Sequence, residues 1–358
     1  MIRVGIVGAS GYGGGELLRL LTVHPEFTVV YVASQSDAGK DVASVFSPMR
    51  GVSDLKLEPY DCDRALELAD VFFLPVANGR AMKTAPALVN AGRKIVDFSA
   101  DFRIKDAELY ESTYGITHSC PELLEEAVYG LVEMNRDSIR SARLVANPGC
   151  YPTAAILSIL PLLGQRDAEG EGRRGEFIVD PASIIVDAYS GVTGAGRTSL
   201  TLDYHFPEVN DSMTAYKVVG HRHTREIEQA ISCCLGVSPP VTFTPHLAPI
   251  GRGILETVYA TLTRDLNSKG LRDVYESFYA DDPFVVVLPE GQSPRTGSVR
   301  GSNYLHIGVF VDDRMGRATI LSAEDNLVKG AAGQAIQNMN LMCGLDETSG
   351  LKAPGLYP

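Results

Sequence analysis

Apolar residues fall along the first 150 positions in short unbroken runs rather than in alternation. Residues 2–7, 27–33, 71–74, 94–98 and 143–146 are stretches in which Val, Ile, Leu and Phe predominate. Runs of that length with no polar face read as strands buried on both sides, the habit of parallel sheets. Between them, residues 16–21 and 81–91 carry helical character. Strands alternating with helices predict βαβ units and a doubly wound sheet. After Cys150 the texture changes. Residues 154–163 read as a helix, and 177–179, 183–188, 241–244, 254–263, 284–288 and 306–311 as strands, predicting a second α/β domain with a large mixed sheet. Residues 325–341 predict a strong helix. Residues 164–175, GQRDAEGEGRRG, are polar and Gly-rich and predict a mobile surface loop.

The chain's 358 residues suffice for two domains. A net charge of −12 argues against a nucleic-acid protein, which carries a basic face. No stretch approaches the ~18 apolar residues of a membrane span, and the start has no secretory pattern, so a cytoplasmic protein is expected. Cysteines stand at 62, 120, 150, 233, 234 and 343 with no C-x-x-C pair, so neither a disulfide framework nor a structural zinc site is expected. Each is by default a small buried hydrophobe unless its surroundings say otherwise.

The turn after the first strand is Gly8-Ala9-Ser10-Gly11-Tyr12-Gly13-Gly14. Glycines there allow a tight bend and a close approach of N–H groups to a pyrophosphate at a helix N-terminus. The spacing is nearer G-x-x-G-x-x-G counted from Gly5 than the usual G-x-G-x-x-G, and Gly-rich turns also serve packing alone. The end of the second strand carries Ser34, Gln35 and Ser36 where an NAD site usually places an acid. Hydroxyls accept a 2′-phosphate without repelling it, and Lys40 adds charge, so NADPH is favoured. Asp37 stands against that reading, though it lies past the strand end.

Asn147-Pro148-Gly149-Cys150-Tyr151-Pro152 places Cys150 where a strand gives way to a helix. Pro152 suits a first helical turn, and a helix N-terminus favours the thiolate. A cysteine nucleophile beside a nicotinamide implies acyl transfer coupled to hydride transfer. Its acid/base partner is sought in Gly220-His221-Arg222-His223-Thr224, where Thr224 reads as an N-cap and His223 lies just before a helix. H-x-H is also half of a metal site, but no third ligand is evident, so no metal is expected. Ser99 and Arg103, after the strand ending near residue 98, and Arg197, in a Gly-rich loop, supply groups suited to phosphate or carboxylate.

Seven stretches in order resemble the N-acetyl-gamma-glutamyl-phosphate reductase family, within an aspartate-semialdehyde dehydrogenase-like superfamily. They are GASGYGG (8–14), DFSADFR (97–103), NPGCYPTA (147–154), SGVTGAGR (190–197), HRHTREIEQ (221–229), TPHLAPIGRGILET (244–257) and EDNLVKGAAGQAIQNMN (324–340). The resemblance implies NADPH-dependent reduction of N-acetyl-L-glutamyl 5-phosphate to the 5-semialdehyde plus phosphate, in arginine biosynthesis. It implies Cys150 as nucleophile, His223 as acid/base with His221 as runner-up, and cofactor contacts from Gly8, Ser10, Gly11, Tyr12, Gly13, Ser34, Ser36 and Asn326. It assigns Ser99, Arg103, Arg197 and Glu208 to the substrate. It further implies a Rossmann-type NADP domain (1–149), a catalytic and oligomerisation domain (150–325), a C-terminal helix returning to the nucleotide domain (326–358), and a homodimer or homotetramer. One loop departs: many members read Leu-Pro-His-Gly where this chain has Leu74-Pro75-Val76-Ala77-Asn78-Gly79. Two alternatives stand beside this reading: a reductase of a homologous acyl phosphate (N-acetyl-aminoadipyl or aspartyl phosphate), and a non-catalytic NADPH-binding sensor.

Overall fold

The structure, a computed structural model, describes residues 1–164, 177–197, 201–236 and 239–356. The chain divides into two compact units. The first comprises Met1–Gly149, Gly196–Thr198 and Ala331–Ala353; the second comprises Cys150–Ala195, Ser199–Gly330 and Pro354–Pro358.

The first unit is built on a six-stranded sheet. Its strands are β1 (Ile2–Val7), β2 (Phe27–Ala33), β3 (Val71–Leu74), β4 (Lys94–Asp97), β5 (Val128–Tyr129) and β6 (Leu144–Ala146), in the order β2-β1-β3-β4-β6-β5. Every pairing is parallel. The doubly wound sheet expected from the apolar runs is therefore present. Its strand order reverses at β1 and β3, the point where such sheets bind ligands beyond their carboxyl ends. Gly5 lies inside β1 because Phe72 of β3 fills the space beside it: a Cβ there would stand 2.5 Å from the ring. Helix Ala81–Asn90 covers one face with buried Met82, Ala85, Leu88 and Val89. Pro86 interrupts its ladder and leaves the Met82 carbonyl without an i+4 N–H. That carbonyl accepts instead from the Ser119 hydroxyl (3.5 Å) and the Cys120 thiol (3.3 Å). The two-residue edge strand β5 was not expected, since it is too short to leave a pattern.

The second unit carries a seven-stranded mixed sheet. Its strands are β7 (Ile185–Ser190), β8 (Thr214–Ala215), β9 (Thr242–Leu247), β10 (Ile254–Thr261), β11 (Val285–Val287), β12 (Leu305–Asp312) and β13 (Arg317–Glu324), in the order β11-β12-β13-β10-β7-β9-β8. Pairs β11/β12 and β7/β9 are parallel and the rest antiparallel. The central strand β13 escaped the sequence reading. RATILSAE interleaves Thr, Ser and Arg with its apolar residues and so never forms a run. The expected strand at 177–179 reduces to one bridge, Val179 to Leu262. The expected helix over 325–341 is a π-helical turn, Val328–Ala332, followed by α-helix Gly333–Met342. The 164–175 loop lies, after Gly164, outside the described residues.

Helix Cys150–Leu163 is buried along almost its whole length. Pro161 cannot donate to the Leu157 carbonyl, and the Tyr279 hydroxyl donates there in its place. The Tyr275 hydroxyl donates to the next carbonyl, Ser158. These two tyrosines fix the rod on whose first residue the candidate nucleophile sits.

Candidate active site

The nucleotide turn lies wholly in the first unit. Gly8 has a φ of +97°, and a Cβ on it would stand 2.5 Å from the Pro75 carbonyl oxygen. A Cβ on Gly14 would strike Ala9 backbone at 2.5 Å. Both positions therefore demand glycine. Gly11, by contrast, opens onto space with nothing nearer than 3.7 Å, and as N-cap of helix Tyr12–Leu21 it offers no capping side chain. The first N–H groups of that helix thus point into an open cradle that fits a pyrophosphate. The Ser10 and Ser34 hydroxyls lie 2.7 Å apart, and Ser34 Oγ accepts from the Asp37 N–H at 3.1 Å. Ser36 Oγ donates to Asp37 at 3.1 Å. The hydroxyl-lined end of β2 suits a 2′-phosphorylated ribose.

Beyond β4 the chain doubles back in a net of buried bonds. Asp97 accepts from the Ser99 N–H (2.9 Å) and the Ser99 hydroxyl (2.7 Å). Burial, with Asp101 nearby, pushes the Asp97 carboxyl up to about 7. Asp101 receives the N–H groups of Gly79 (2.7 Å) and Met82 (3.1 Å) and the Tyr110 hydroxyl (2.7 Å). It thereby ties the end of the 74–79 loop to the start of helix Ala81–Asn90. Arg103 donates to the backbone carbonyls of Asn147 (2.8 Å) and Phe98 (2.7 Å). Both Ser99 and Arg103 are buried, and these bonds hold the turn that precedes Cys150.

In the second unit Cys150 opens its helix, as the proline and glycine pattern predicts, and is half-buried. Tyr151, beside it, is buried and donates its hydroxyl to the His246 carbonyl at 3.2 Å; the Tyr216 hydroxyl donates to the Tyr151 oxygen at 3.2 Å. The rings of His221 and His223 each stand edge-on to Tyr151, with centroids 5.9 Å away, and 4.7 Å from one another. Burial pushes the Tyr216 phenol up to about 12, and a charged Cys150 sulfur adds to the rise, as it does for Tyr151. Sulfur, two phenols and two imidazoles are thus gathered into one cluster. Helix His223–Leu235 begins two residues earlier than expected, with Arg222 rather than Thr224 at its N-cap position. Instead His221 Nδ1 accepts the His223 N–H at 3.1 Å. That bond places the neutral proton of His221 on Nε2. Burial, with Arg222 and Lys217, lowers His221 to about 3, so it is neutral at pH 7.

Tyr216 also lines a cavity of about 440 Å³ with Asp203, Tyr204, Glu208, Val209, Ser212, Thr214, Lys217 and Leu247. Glu208 therefore stands in the cavity whose Tyr216 hydroxyl reaches Tyr151. Lys217 and Val219 take positive φ values (46° and 66°), a strained path leading into His221. Asn326 belongs to the second unit: its Oδ1 accepts the Gly253 N–H at 2.7 Å and its Nδ2 donates to Thr193 Oγ1 at 2.9 Å. Arg197, by contrast, belongs to the first unit, where it meets Ser10 and Asp37. Gly330 presses on the nucleophile: a Cβ there would stand 2.9 Å from Cys150 Cβ and 2.7 Å from Glu324 Oε1. The sequence reading gave no role to Tyr151, Tyr216 or Gly330. Only their nearness to Cys150 and His221 along the chain, or the DNLVKG stretch for Gly330, could have signalled them. Among the described residues no group of three or more His, Cys, Asp or Glu is placed to hold a metal ion.

Residues 3–142 match the semialdehyde dehydrogenase NAD binding domain, and residues 150–326 the semialdehyde dehydrogenase dimerisation domain. The chain is 49% identical over 358 residues to the N-acetyl-gamma-glutamyl-phosphate reductase of Moorella thermoacetica, covering 100% of both chains. It is 48% identical to the Pelotomaculum thermopropionicum protein of the same name, covering 100% of this chain and 99% of that one. Among solved structures, aspartate semialdehyde dehydrogenase II from Vibrio cholerae superposes with a TM-score of 0.72 at 17% identity, over 96% of this chain and 99% of that chain. The Candida albicans aspartate semialdehyde dehydrogenase with NADP gives 0.69 at 15% identity, over 96% and 98%. At such identities these two attest the fold, and the full-length relatives attest the family. The chain belongs to the semialdehyde dehydrogenase family, in its N-acetyl-gamma-glutamyl-phosphate reductase branch.

Proposed function

We propose that this chain reduces N-acetyl-L-glutamyl 5-phosphate to N-acetyl-L-glutamate 5-semialdehyde, releasing phosphate, as a cytoplasmic enzyme of arginine biosynthesis. The observation that carries this reading is the grouping of Cys150, at a helix start, with Tyr151, Tyr216, His221 and His223. The full-length relatives that bear the reductase name support it. NADPH, when bound, supplies the hydride. Gly8, Ser10, Gly11, Tyr12 and Gly13 would hold its pyrophosphate, and Ser34 and Ser36 its ribose phosphate.

The Cys150 thiolate attacks the acyl carbon, the carbon–phosphate oxygen bond breaks, and a thioester remains. N–H groups at the start of the Cys150 helix face the developing oxyanion. Reduction of the thioester leaves a thiohemiacetal on Cys150. His223 donates a proton to its oxygen and takes one back as the carbon–sulfur bond breaks and the aldehyde leaves. His221, neutral and bonded to the His223 N–H, positions that ring. The cavity holding Glu208 takes the acetamido-carboxylate end of the substrate. Arg103 acts by holding the Asn147–Gly149 turn, and Ser99 by holding Asp97 at the end of β4. Residues 1–149 serve as the cofactor domain and 150–325 as the catalytic domain, through which two or four copies assemble.

The test is single-turnover NADPH oxidation with N-acetyl-glutamyl phosphate beside N-acetyl-aminoadipyl and aspartyl phosphates. One methylene is worth only about 1–3 kcal/mol in a pocket, so a preference of 10-fold or more for the five-carbon substrate is expected. Cys150→Ser should lower turnover by at least about 10³-fold while leaving the NADPH Kd unchanged. Full activity in that variant would remove the covalent route.

A further inference from the structure

We propose that Arg197, held in place by Asp37, is the residue that reads the 2′-phosphate of the dinucleotide. This rests on the NADPH reading above and deepens it. The sequence raised Asp37 as an obstacle, because an acid past the end of β2 repels a phosphate. In the structure both its oxygens already face cations. Oδ1 accepts from Lys40 Nζ at 2.8 Å, and Oδ2 accepts from Arg197 Nη1 at 3.2 Å. One carboxylate between two cations leaves the cluster with a net charge of +1. Its ionisation is secured, since the Lys40 bond holds the carboxyl down at about 2.

Arg197 is anchored at a second point, donating Nη1 to the Ser10 carbonyl at 2.9 Å. Ser10 is the turn residue whose hydroxyl meets Ser34. The guanidinium is therefore fastened to both walls of the place where an adenosine ribose lies in a doubly wound sheet: the glycine turn and the end of β2. Its face lies 5.8 Å from the Phe46 ring centroid, a cation–π contact that orients the plane. Both protein bonds use the same nitrogen. Nε and Nη2 make no protein hydrogen bond among the described residues, and a third of the side chain is exposed. A planar donor edge of that kind matches a phosphate in two-point fashion. Asp37 cannot serve a ribose diol in the manner of an NAD site, because its oxygens are engaged by Lys40, Arg197 and Ser36.

The experiment is fluorescence titration of the full chain, without acyl phosphate, using NADPH and NADH in turn. For wild type, NADPH should bind at least 10-fold more tightly. Arg197→Met should weaken NADPH by about 10- to 100-fold and NADH by no more than about twofold. Arg197→Lys should restore part of the preference, which shows that lost charge and not misfolding is read out. Asp37→Asn should weaken NADPH while leaving NADH alone. An Arg197→Met protein that keeps the wild-type preference, or loses both dinucleotides equally, overturns the proposal. So does an Asp37→Asn protein that loses mainly NADH. A wild-type protein indifferent to the 2′-phosphate overturns instead the NADPH reading on which the proposal rests.

Discussion

At His221, burial and the charges of Arg222 and Lys217 drive the imidazole towards its neutral form, with a pKa of about 3. Its folded value thus lies below the unfolded value of about 6.5. A group shifted in that direction contributes its full stability above pH 6.5. It loses that stability as pH falls towards 3, because the unfolded chain takes up the proton first. Asp97 works in the opposite sense. Its carboxyl is pushed up to about 7, so its contribution is complete below the ordinary carboxylate range and is lost as pH rises through 7. The two slopes oppose one another in mildly acidic solution, so the His221 share is best measured as a difference between proteins. Between pH 7.5 and pH 5, wild type should lose about 2 kcal/mol relative to His221→Gln in urea unfolding. A gap independent of pH would show that the imidazole is not held neutral by its surroundings. The sequence singled out this pair of histidines by spacing. Spacing alone did not show that His221 is held neutral, because the burial of the two rings depends on Tyr151 and Phe243 from other parts of the chain.

Among the elements, those with a self-contained signal were legible. The apolar runs of β1, β2 and β3 appear with the bounds the sequence suggests, and Cys150 opens its helix as predicted. The pairs that disagree are instructive. Strand β13 has no apolar run, yet it sits between β10 and β12 and pairs with both along eight and seven residues. Its place is set by its neighbours' hydrogen bonds rather than by its own hydrophobicity. The stretch 325–341 has helical composition throughout, but Val328–Ala332 is wound wider, as a π turn. Gly330 lies within that turn and abuts Cys150. Gly330→Ala would push a methyl group against the buried Glu324 carboxylate and against the Cys150 Cβ and Cα, which are fixed to the helix backbone. It should cost about 1–3 kcal/mol of stability and lower kcat by at least about 10-fold, with the NADPH Kd little altered. Denaturant unfolding, stopped-flow turnover and dinucleotide titration check the three parts. Unchanged kcat would show that the π turn tolerates the methyl group without moving the nucleophile.

For the whole molecule, Leu202, Phe206, Met213, Val218 and Val219 bring exposed apolar side chains into one short stretch of the second unit. Scattered single residues of this sort are ordinary, but a cluster marks a surface that meets a partner. The match of residues 150–326 to a dimerisation domain supports a second copy as that partner. Light scattering should give at least twice the 38.5 kDa of one chain. Phe206→Glu combined with Met213→Glu should lower the mass towards one chain, and a monomeric wild type would dismiss the assembly. What the sequence by itself determined about this protein is its local grammar: buried parallel strands, a glycine turn after the first of them, and a cysteine at a helix start. Each follows from residues close together in the chain, whose periodicity and backbone freedom act locally. Tertiary structure alone decided the partners of Arg103, Arg197, Asn326 and Gly330. Arg103 meets the carbonyl of Asn147, 44 positions away, and Arg197 meets Asp37, 160 away. A guanidinium bonds whichever oxygen folding brings within hydrogen-bonding distance, and which oxygen that is depends on how distant segments pack, a fact that spacing along the chain does not carry.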